Sequence, residues 1–299
     1  MKSLISINDF DKDEMLQVLD LAAEYESNPN CPIFKDKLIA CIFFEPSTRT
    51  RLSFETAATR LGARFVGFAS LSHTSIAKGE SLKDTIKMVS NYADMIVIRH
   101  HLDGAARYAS EIADCPVINA GDGANQHPTQ TLLDMYSIRK TQGTLENLSI
   151  TVVGDLKYGR TVHSLLQAMS HFNPRFNFVS CPDLEIPQEY KNFLDSRNIP
   201  YTQHHQLEGQ IQDADILYVT RVQQERFQDP MEYERVKNLM RLDASMLTNT
   251  RPNLRILHPL PRVNEIAIDV DDRPEAYYFE QARNGVFTRM GIITHLMNQ

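Results

Sequence analysis

The residues best suited to chemistry stand where an apolar run gives way to a helical pattern. Phe44-Glu45-Pro46-Ser47-Thr48-Arg49-Thr50-Arg51 follows the run Leu38-Ile39-Ala40-Cys41-Ile42-Phe43. That run has the length and composition of a strand covered on both faces of a parallel sheet. A strand end that runs directly into a helix start presents free backbone N–H groups and the positive end of the helix dipole, and both attract an anion. A helix cap needs one hydroxyl. This loop offers Ser47, Thr48 and Thr50, and adds the fork of Arg49, which suits the paired oxygens of a phosphate.

Further candidates also follow apolar runs, where open parallel sheets bind their ligands. Arg99-His100-His101 comes directly after Met95-Ile96-Val97-Ile98. The polar loop from Asn119 to Gln130 opens a helix with Pro128 in its first turn. It sets His127 and Gln130 three apart on one face, where a histidine can donate to a carbonyl oxygen and a glutamine can hold an amide. Ser75-Ile76-Ala77-Lys78-Gly79-Glu80-Ser81 places a lysine beside a glycine just before a helix. Spacing alone does not separate Lys78 from a surface lysine, Arg99 from a solvated arginine, or His127 from a satisfied structural histidine.

In the second half, Val153-Gly154-Asp155-Leu156-Lys157-Tyr158-Gly159-Arg160 reads as strand, turn and helix, without G-x-G-x-x-G or a P-loop, so no dinucleotide cofactor is expected. Thr220-Arg221-Val222-Gln223 and Leu257-His258-Pro259-Leu260-Pro261-Arg262 end two more strands with polar or kinked loops suited to carboxylates. There is no H-E-x-x-H, G-x-S-x-G or kinase set, and no sequence-local acidic metal cluster. Group transfer without metal or cofactor is the chemistry that remains.

The elements that must position these residues alternate as strand and helix. A helical pattern surrounds Met15 to Ala22. Then come strand Leu38 to Phe44, helix Arg51 to Leu61, strand Phe65 to Phe68, helix Ser81 to Tyr92, strand Met95 to Ile98, helix Ala105 to Ala113, strand Val117 to Asn119 and helix Pro128 to Lys140. A second series runs from strand Ser149 to Val153 through helix Gly159 to Phe172, strand Phe176 to Ser180, helix Gln188 to Ser196, strand Ile216 to Thr220, a polar segment Gln223 to Tyr233 and strand Arg255 to Leu257. After Asn284-Gly285 a final helix, Val286 to Met297, carries Phe287, Met290, Ile293 and Leu296 on one face.

The expected fold is therefore α/β, with two tandem domains, each a parallel β-sheet flanked by helices. The expected boundaries are 1–142 for the first domain, completed by the C-terminal helix 285–299, and 143–284 for the second. With 299 residues and 42% hydrophobic content the chain can fill two modest cores. A net charge of −7, from 31 Lys and Arg against 38 Asp and Glu, repels polyanions and argues against nucleic-acid binding. Cys31, Cys41, Cys115 and Cys181 show no zinc spacing. No apolar run is long enough to span a bilayer and the start lacks a signal-peptide pattern, so a cytoplasmic, reduced protein without membrane contact is expected.

Taken together, these loops resemble the aspartate and ornithine carbamoyltransferase family. Phe44 to Arg51 is similar to its carbamoyl-phosphate signature. His127-Pro128-Thr129-Gln130, Gly154-Asp155-Leu156-Lys157-Tyr158-Gly159-Arg160 and His258-Pro259-Leu260-Pro261-Arg262 resemble the aspartate branch in order and separation. The resemblance implies carbamoyl transfer from carbamoyl phosphate to the amino group of L-aspartate, an early step of pyrimidine synthesis, with the C-terminal helix packing back on the first domain.

It also implies roles. Ser47, Thr48, Arg49 and Thr50 hold the phosphate, Thr50, Arg99 and His127 address the carbonyl oxygen, and Gln130 takes the carbamoyl amide. Arg160, Arg221 and Gln223 hold the aspartate carboxylates, and the backbone carbonyls of Pro259 and Leu260 face its amino group. Ser75 and Lys78 enter from a neighbouring subunit, so the working unit is a homotrimer with shared active sites, alone or with separate regulatory chains. In some members of the family one more residue separates that serine and lysine, which makes Lys78 the firmer match. Glu45, beside the phosphate loop, is expected to pair with Arg160 or Arg221 when the domains close. Ornithine transfer is the alternative within the family. Its H-C-L-P sequence is replaced by His258-Pro259-Leu260-Pro261, and Arg221 and Arg262 suit an acidic substrate. An anion-binding scaffold without turnover has no use for Lys78, Arg99, His127 and Arg160 together.

Overall fold

Largely apolar segments of four to six residues become the inner strands of two parallel sheets in the computed structural model, which describes residues 2–70, 74–222, 231, 233 and 240–299. The chain divides into two units, Met1–Tyr136 with Arg283–Gln299, and Ser137–Ala282.

The first unit holds β1 (Leu38–Phe43), β2 (Arg64–Phe68), β3 (Met95–His100) and β4 (Val117–Asp122) in the order β2-β1-β3-β4. All three pairings are parallel. The central strands β1 and β3 are buried almost throughout, as parallel strands covered on both faces should be. Helices α1 (Lys12–Ser27), α2 (Thr48–Arg60), α3 (Leu82–Ser90), α4 (Ala105–Ile112) and the start of α5 (Pro128–Gln142) accompany them. Ile42, Ile96, Ile98, Ile86 and Val117 lie at the centre of one core cluster.

The second unit orders β5 (Ser149–Val153), β6 (Arg175–Val179), β7 (Tyr201–His204), β8 (Ile216–Val219) and β9 (Arg255–Leu257) as β7-β6-β5-β8-β9, again all parallel. Helices α6 (Arg160–Met169) and α7 (Gln188–Ser196) connect them. Leu217, Val219, Ile256, Leu254 and Tyr278 fill its core. Strand β7 is an addition to the sequence reading. Its Tyr-Thr-Gln-His composition and partial exposure mark an edge strand rather than a buried one.

The C-terminal helix is longer than expected. It starts at Tyr278 and passes through Asn284-Gly285 without a break. Thr288 Oγ1 donates to Asn284 O and Arg289 Nη1 to Gly285 O, so these two residues work as helix interior and not as a boundary. Its last turns pack on α1, where Tyr25 OH meets Thr294 Oγ1 at 2.8 Å. Gly291 permits the close approach, since a Cβ there would stand 2.7 Å from Val18 O. The apolar stripe of Phe287, Met290, Ile293 and Leu296 is thereby buried.

Candidate functional site

In each sheet the chain adds strands first on one side of its opening strand and then on the other. The resulting switch points lie between β1 and β3 and between β5 and β8. Ligands of open parallel sheets gather at the carboxyl ends of strands beside such points, and most of the candidate residues stand there.

In the first unit, Ser47–Thr50 follow β1, Arg99 is the fifth residue of β3, and His127 and Gln130 follow β4. Three adjacent strands therefore deliver the phosphate and carbonyl candidates. Helix α2 begins at Thr48, three residues earlier than the sequence reading, with Ser47 as its N-cap residue in extended conformation. The Ser47 side chain makes no capping hydrogen bond. The capping alternative fails on this point, and the first N–H groups of the helix keep their capacity for an anion. Thr50 is buried, while Thr48 and Arg49 are exposed.

Arg99 Nη1 donates to Ala120 O at 3.2 Å, and Nε forms an ion pair with Glu45 at 2.7 Å. Burial lowers the pKa of Arg99, Glu45 raises it, and the like charge of Arg49 lowers it again. Arg49 and Arg99 are thus near enough to repel each other, which an anion between them would relieve. Glu45, expected to pair with Arg160 or Arg221 on domain closure, forms this ion pair within its own unit.

The loop between β4 and α5 is built around Asp122, a fully buried carboxylate. It accepts from Asn119 Nδ2, Gly104 N, Asn125 Nδ2 and Gln126 N at 2.8–3.2 Å. Asn119 in turn holds Gly121 N and Ile5 O. This network fixes the loop that ends in His127, whose ring is buried and lies 3.4 Å from Thr129 Oγ1 through Nδ1. Gln130, also buried, donates through Nε2 to Asp134 at 2.8 Å.

Ser75 and Lys78 fall on a short 3₁₀ turn, both exposed, ending at Gly79 in the left-handed region. Among the described residues neither side chain has a hydrogen bond or ion pair.

In the second unit, Arg160 opens α6 beyond β5, Arg221 follows β8, and Pro259 and Leu260 follow β9. The first two loops are tied by Thr220, whose Oγ1 donates to Val153 O at 3.0 Å. Gly154 makes this possible. Its φ is +114°, and a Cβ would stand 2.3 Å from Thr220 O. Gln223 lies outside the described residues.

After β9 the chain bends sharply, with Leu260 at φ +55° and a cis bond to Pro261. His258 Nδ1 accepts from Leu260 N at 2.8 Å, and Glu265 Oε2 accepts from both Val263 N and Asn264 N at 3.0 Å. Arg262, read from the sequence as a carboxylate ligand, is engaged otherwise. It pairs with Asp271 and Tyr278 OH, and its guanidinium stands 5.4 Å from the Tyr278 ring centroid. In the structure its ion-pair partner is the carboxylate nine residues along the chain.

Residues 2–140 match the carbamoyl-P binding domain of aspartate/ornithine carbamoyltransferase, and residues 146–296 match its Asp/Orn binding domain. The chain is 63% identical over 297 residues to the aspartate carbamoyltransferase catalytic subunit of Bacteroides fragilis, covering 99% of this chain and 96% of that relative. It is 53% identical to that of Chromobacterium violaceum, covering 100% and 98%. Among solved structures it resembles the catalytic subunit of M. jannaschii aspartate transcarbamoylase, with TM-score 0.92, 48% identity and 100% and 98% coverage. It also resembles the Trypanosoma cruzi aspartate transcarbamoylase in complex with N-(phosphonacetyl)-L-aspartic acid, with TM-score 0.93, 34% identity and 99% and 95% coverage. Fold, strand-end loops and likeness over nearly its whole length agree that this chain belongs to the aspartate/ornithine carbamoyltransferase family.

Proposed function

We propose that this chain is an enzyme that transfers the carbamoyl group of carbamoyl phosphate to the amino group of L-aspartate, giving N-carbamoyl-L-aspartate and phosphate for pyrimidine synthesis. The observation that carries the reading is the delivery of an uncapped helix start, Arg99 and His127 by the ends of three adjacent strands. Ser47, Thr48, Arg49 and Thr50 bind the phosphate, and Thr50, Arg99 and His127 donate to the carbonyl oxygen. Gln130 accepts from the carbamoyl amide. Arg160, Arg221 and Gln223 bind the two carboxylates of aspartate, and the carbonyls of Pro259 and Leu260 address its amine.

The neutral amine attacks the carbonyl carbon, and charge gathers on the oxygen. A C–N bond forms as the C–O bond to phosphate breaks, and the departing phosphate takes the proton that the amine gives up. Positioning and fixed donors supply the acceleration, with no side chain required as base.

The subunit works as a homotrimer in which Ser75 and Lys78 complete the site of a neighbour. Two observations support this. Ser75 and Lys78 stand exposed, without a hydrogen bond or ion pair among the described residues. The edge strand β2 leaves Phe65 and Val66 42% and 47% exposed, an apolar edge of the sort that another copy covers. The four cysteines are free thiols, in keeping with a reducing cytoplasm, and no helix among the described residues is long and apolar enough to cross a membrane.

The test is formation of carbamoyl product by the purified protein with carbamoyl phosphate, offering L-aspartate and L-ornithine in parallel. Aspartate-dependent product is expected. Ornithine-dependent product would overturn the assignment of the second unit, and silence with both would overturn the reaction.

A further inference from the structure

The reaction as described leaves Asp134 without a task, although it is wholly buried in the anion-binding unit. It lies one helical turn beyond Gln130 on α5 and accepts the 2.8 Å hydrogen bond from Gln130 Nε2. The two ends of a carboxamide are alike in shape but opposite in chemistry, since the NH2 only donates and the oxygen only accepts. A carboxylate only accepts, so Asp134 takes the amino end of Gln130 and leaves Oε1 as the end without a protein hydrogen bond among the described residues.

The charge on Asp134 has its own support. Arg289 of the C-terminal helix is buried, donates through Nη1 to Gly285 O at 3.0 Å and stands 5.0 Å from the Phe54 ring centroid. Burial pushes its pKa down to about 10 and Asp134 acts to raise it, so it remains a cation at neutral pH. A buried carboxylate needs such a countercharge. Gly285 makes the room, since a Cβ there would come within 2.4 Å of Arg289 Nη1.

We infer that Asp134 is a positioning residue which fixes the Gln130 amide with Oε1 outward, so that the site selects a carbamoyl group, with its N–H donors, over an acetyl group. The inference rests on the carbamoyl-transfer reading. Acetyl phosphate matches carbamoyl phosphate in shape and charge but carries a methyl where the NH2 stands, and would leave Oε1 desolvated and unpaired. Sites built to hydrogen-bond a ligand group discriminate against the analogue that lacks it.

The test measures Kd for carbamoyl phosphate, acetyl phosphate and inorganic phosphate on the natural protein, on Asp134→Asn, and on Asp134→Asn combined with Arg289→Gln. The natural protein should prefer carbamoyl to acetyl phosphate by about tenfold or more. Asparagine offers either end to Gln130, so in Asp134→Asn the preference should fall to about threefold or less while inorganic phosphate binds as before. The double variant removes both buried charges and should show the same collapse, which keeps the test open if the single variant does not fold. An undiminished preference in a folded variant, or equal weakening of all three ligands, would overturn the inference and leave carbamoyl transfer standing. A natural protein that turns over aspartate but shows no preference would also overturn the inference alone. Absence of both preference and turnover would overturn the parent reading with it.

Discussion

His258 and Glu265 form a buried pair, 2.7 Å apart through Nε2 and Oε1, that closes the loop after the last strand of the second unit. Because Nδ1 accepts from Leu260 N, the ring proton sits on Nε2 and is donated to the carboxylate. One histidine thereby sets the backbone of Leu260 on one side and is held by Glu265 on the other. The pair shapes the two carbonyls assigned to the aspartate amine. Glu265→Gln or His258→Ala should raise KM for aspartate by about tenfold while carbamoyl phosphate binds as before. Steady-state kinetics with each substrate varied will show it, and an unchanged aspartate KM would remove the pair from any part in binding.

The same carboxylate makes the second unit sensitive to acid. Burial raises the pKa of Glu265, but hydrogen bonding from His258 and from backbone N–H groups carries it below the ordinary glutamate value. A carboxyl lowered on folding stabilises the folded state above its unfolded pKa, and that contribution is lost as pH falls through the folded value. Asp271, lowered by Arg262 against the pull of burial, acts in the same sense. Urea unfolding between pH 6 and 3 should show stability falling with acid, with a shallower fall in Glu265→Gln. Equal slopes would refute the assignment.

His127→Ala should cut kcat by roughly 100- to 1,000-fold, the usual effect of removing one donor from a developing oxyanion. Inorganic phosphate should bind within about twofold of its natural affinity, because the helix start and Arg49 are untouched. A natural kcat in this variant would show that the ring, buried as it is, has only a structural role.

Lys78→Ala and Arg160→Ala should each be nearly inactive alone and regain activity when the two proteins are dissociated, mixed and reassembled. A site with its lysine from one chain and its arginine from another can then contain both natural residues. Mixed assemblies that remain silent would place Lys78 in the site of its own chain.

Gly154→Ala should destabilise the second unit by about 3 kcal/mol, from left-handed backbone strain and the forced retreat of Thr220. Since Arg221 follows Thr220 directly, aspartate affinity should fall together with Tm. A variant as stable as the natural protein would contradict the close approach of the two strand ends.

What could be read from the sequence was whatever the chain states locally. β1, the Met95–Ile98 part of β3, and β8 appear as uninterrupted apolar runs because both faces are covered, and the Ser47–Arg51 segment combines hydroxyls and guanidinium groups beyond the needs of a cap. The polar edge strand Tyr201–His204 carries no such run. Asn284-Gly285 looks like a helix boundary until Arg289 is seen filling the space left by the glycine. Nor does the sequence show that the fold brings Asp271 beside Arg262. The Gln130 and Asp134 pair was within reach, since residues four apart on a helix face each other. The hold of Asp122 on four partners depends on a loop closure that no linear pattern announces.

The loops proposed for phosphate recognition and for amine recognition lie at the switch points of two different sheets. On that reading, side chains at the ends of β5, β8 and β9 can change while the sheet that carries Ser47 and Arg99 keeps its own sequence. A lineage with this architecture is free to recruit new acceptor amines by altering one half of the chain while inheriting the activated donor from the other.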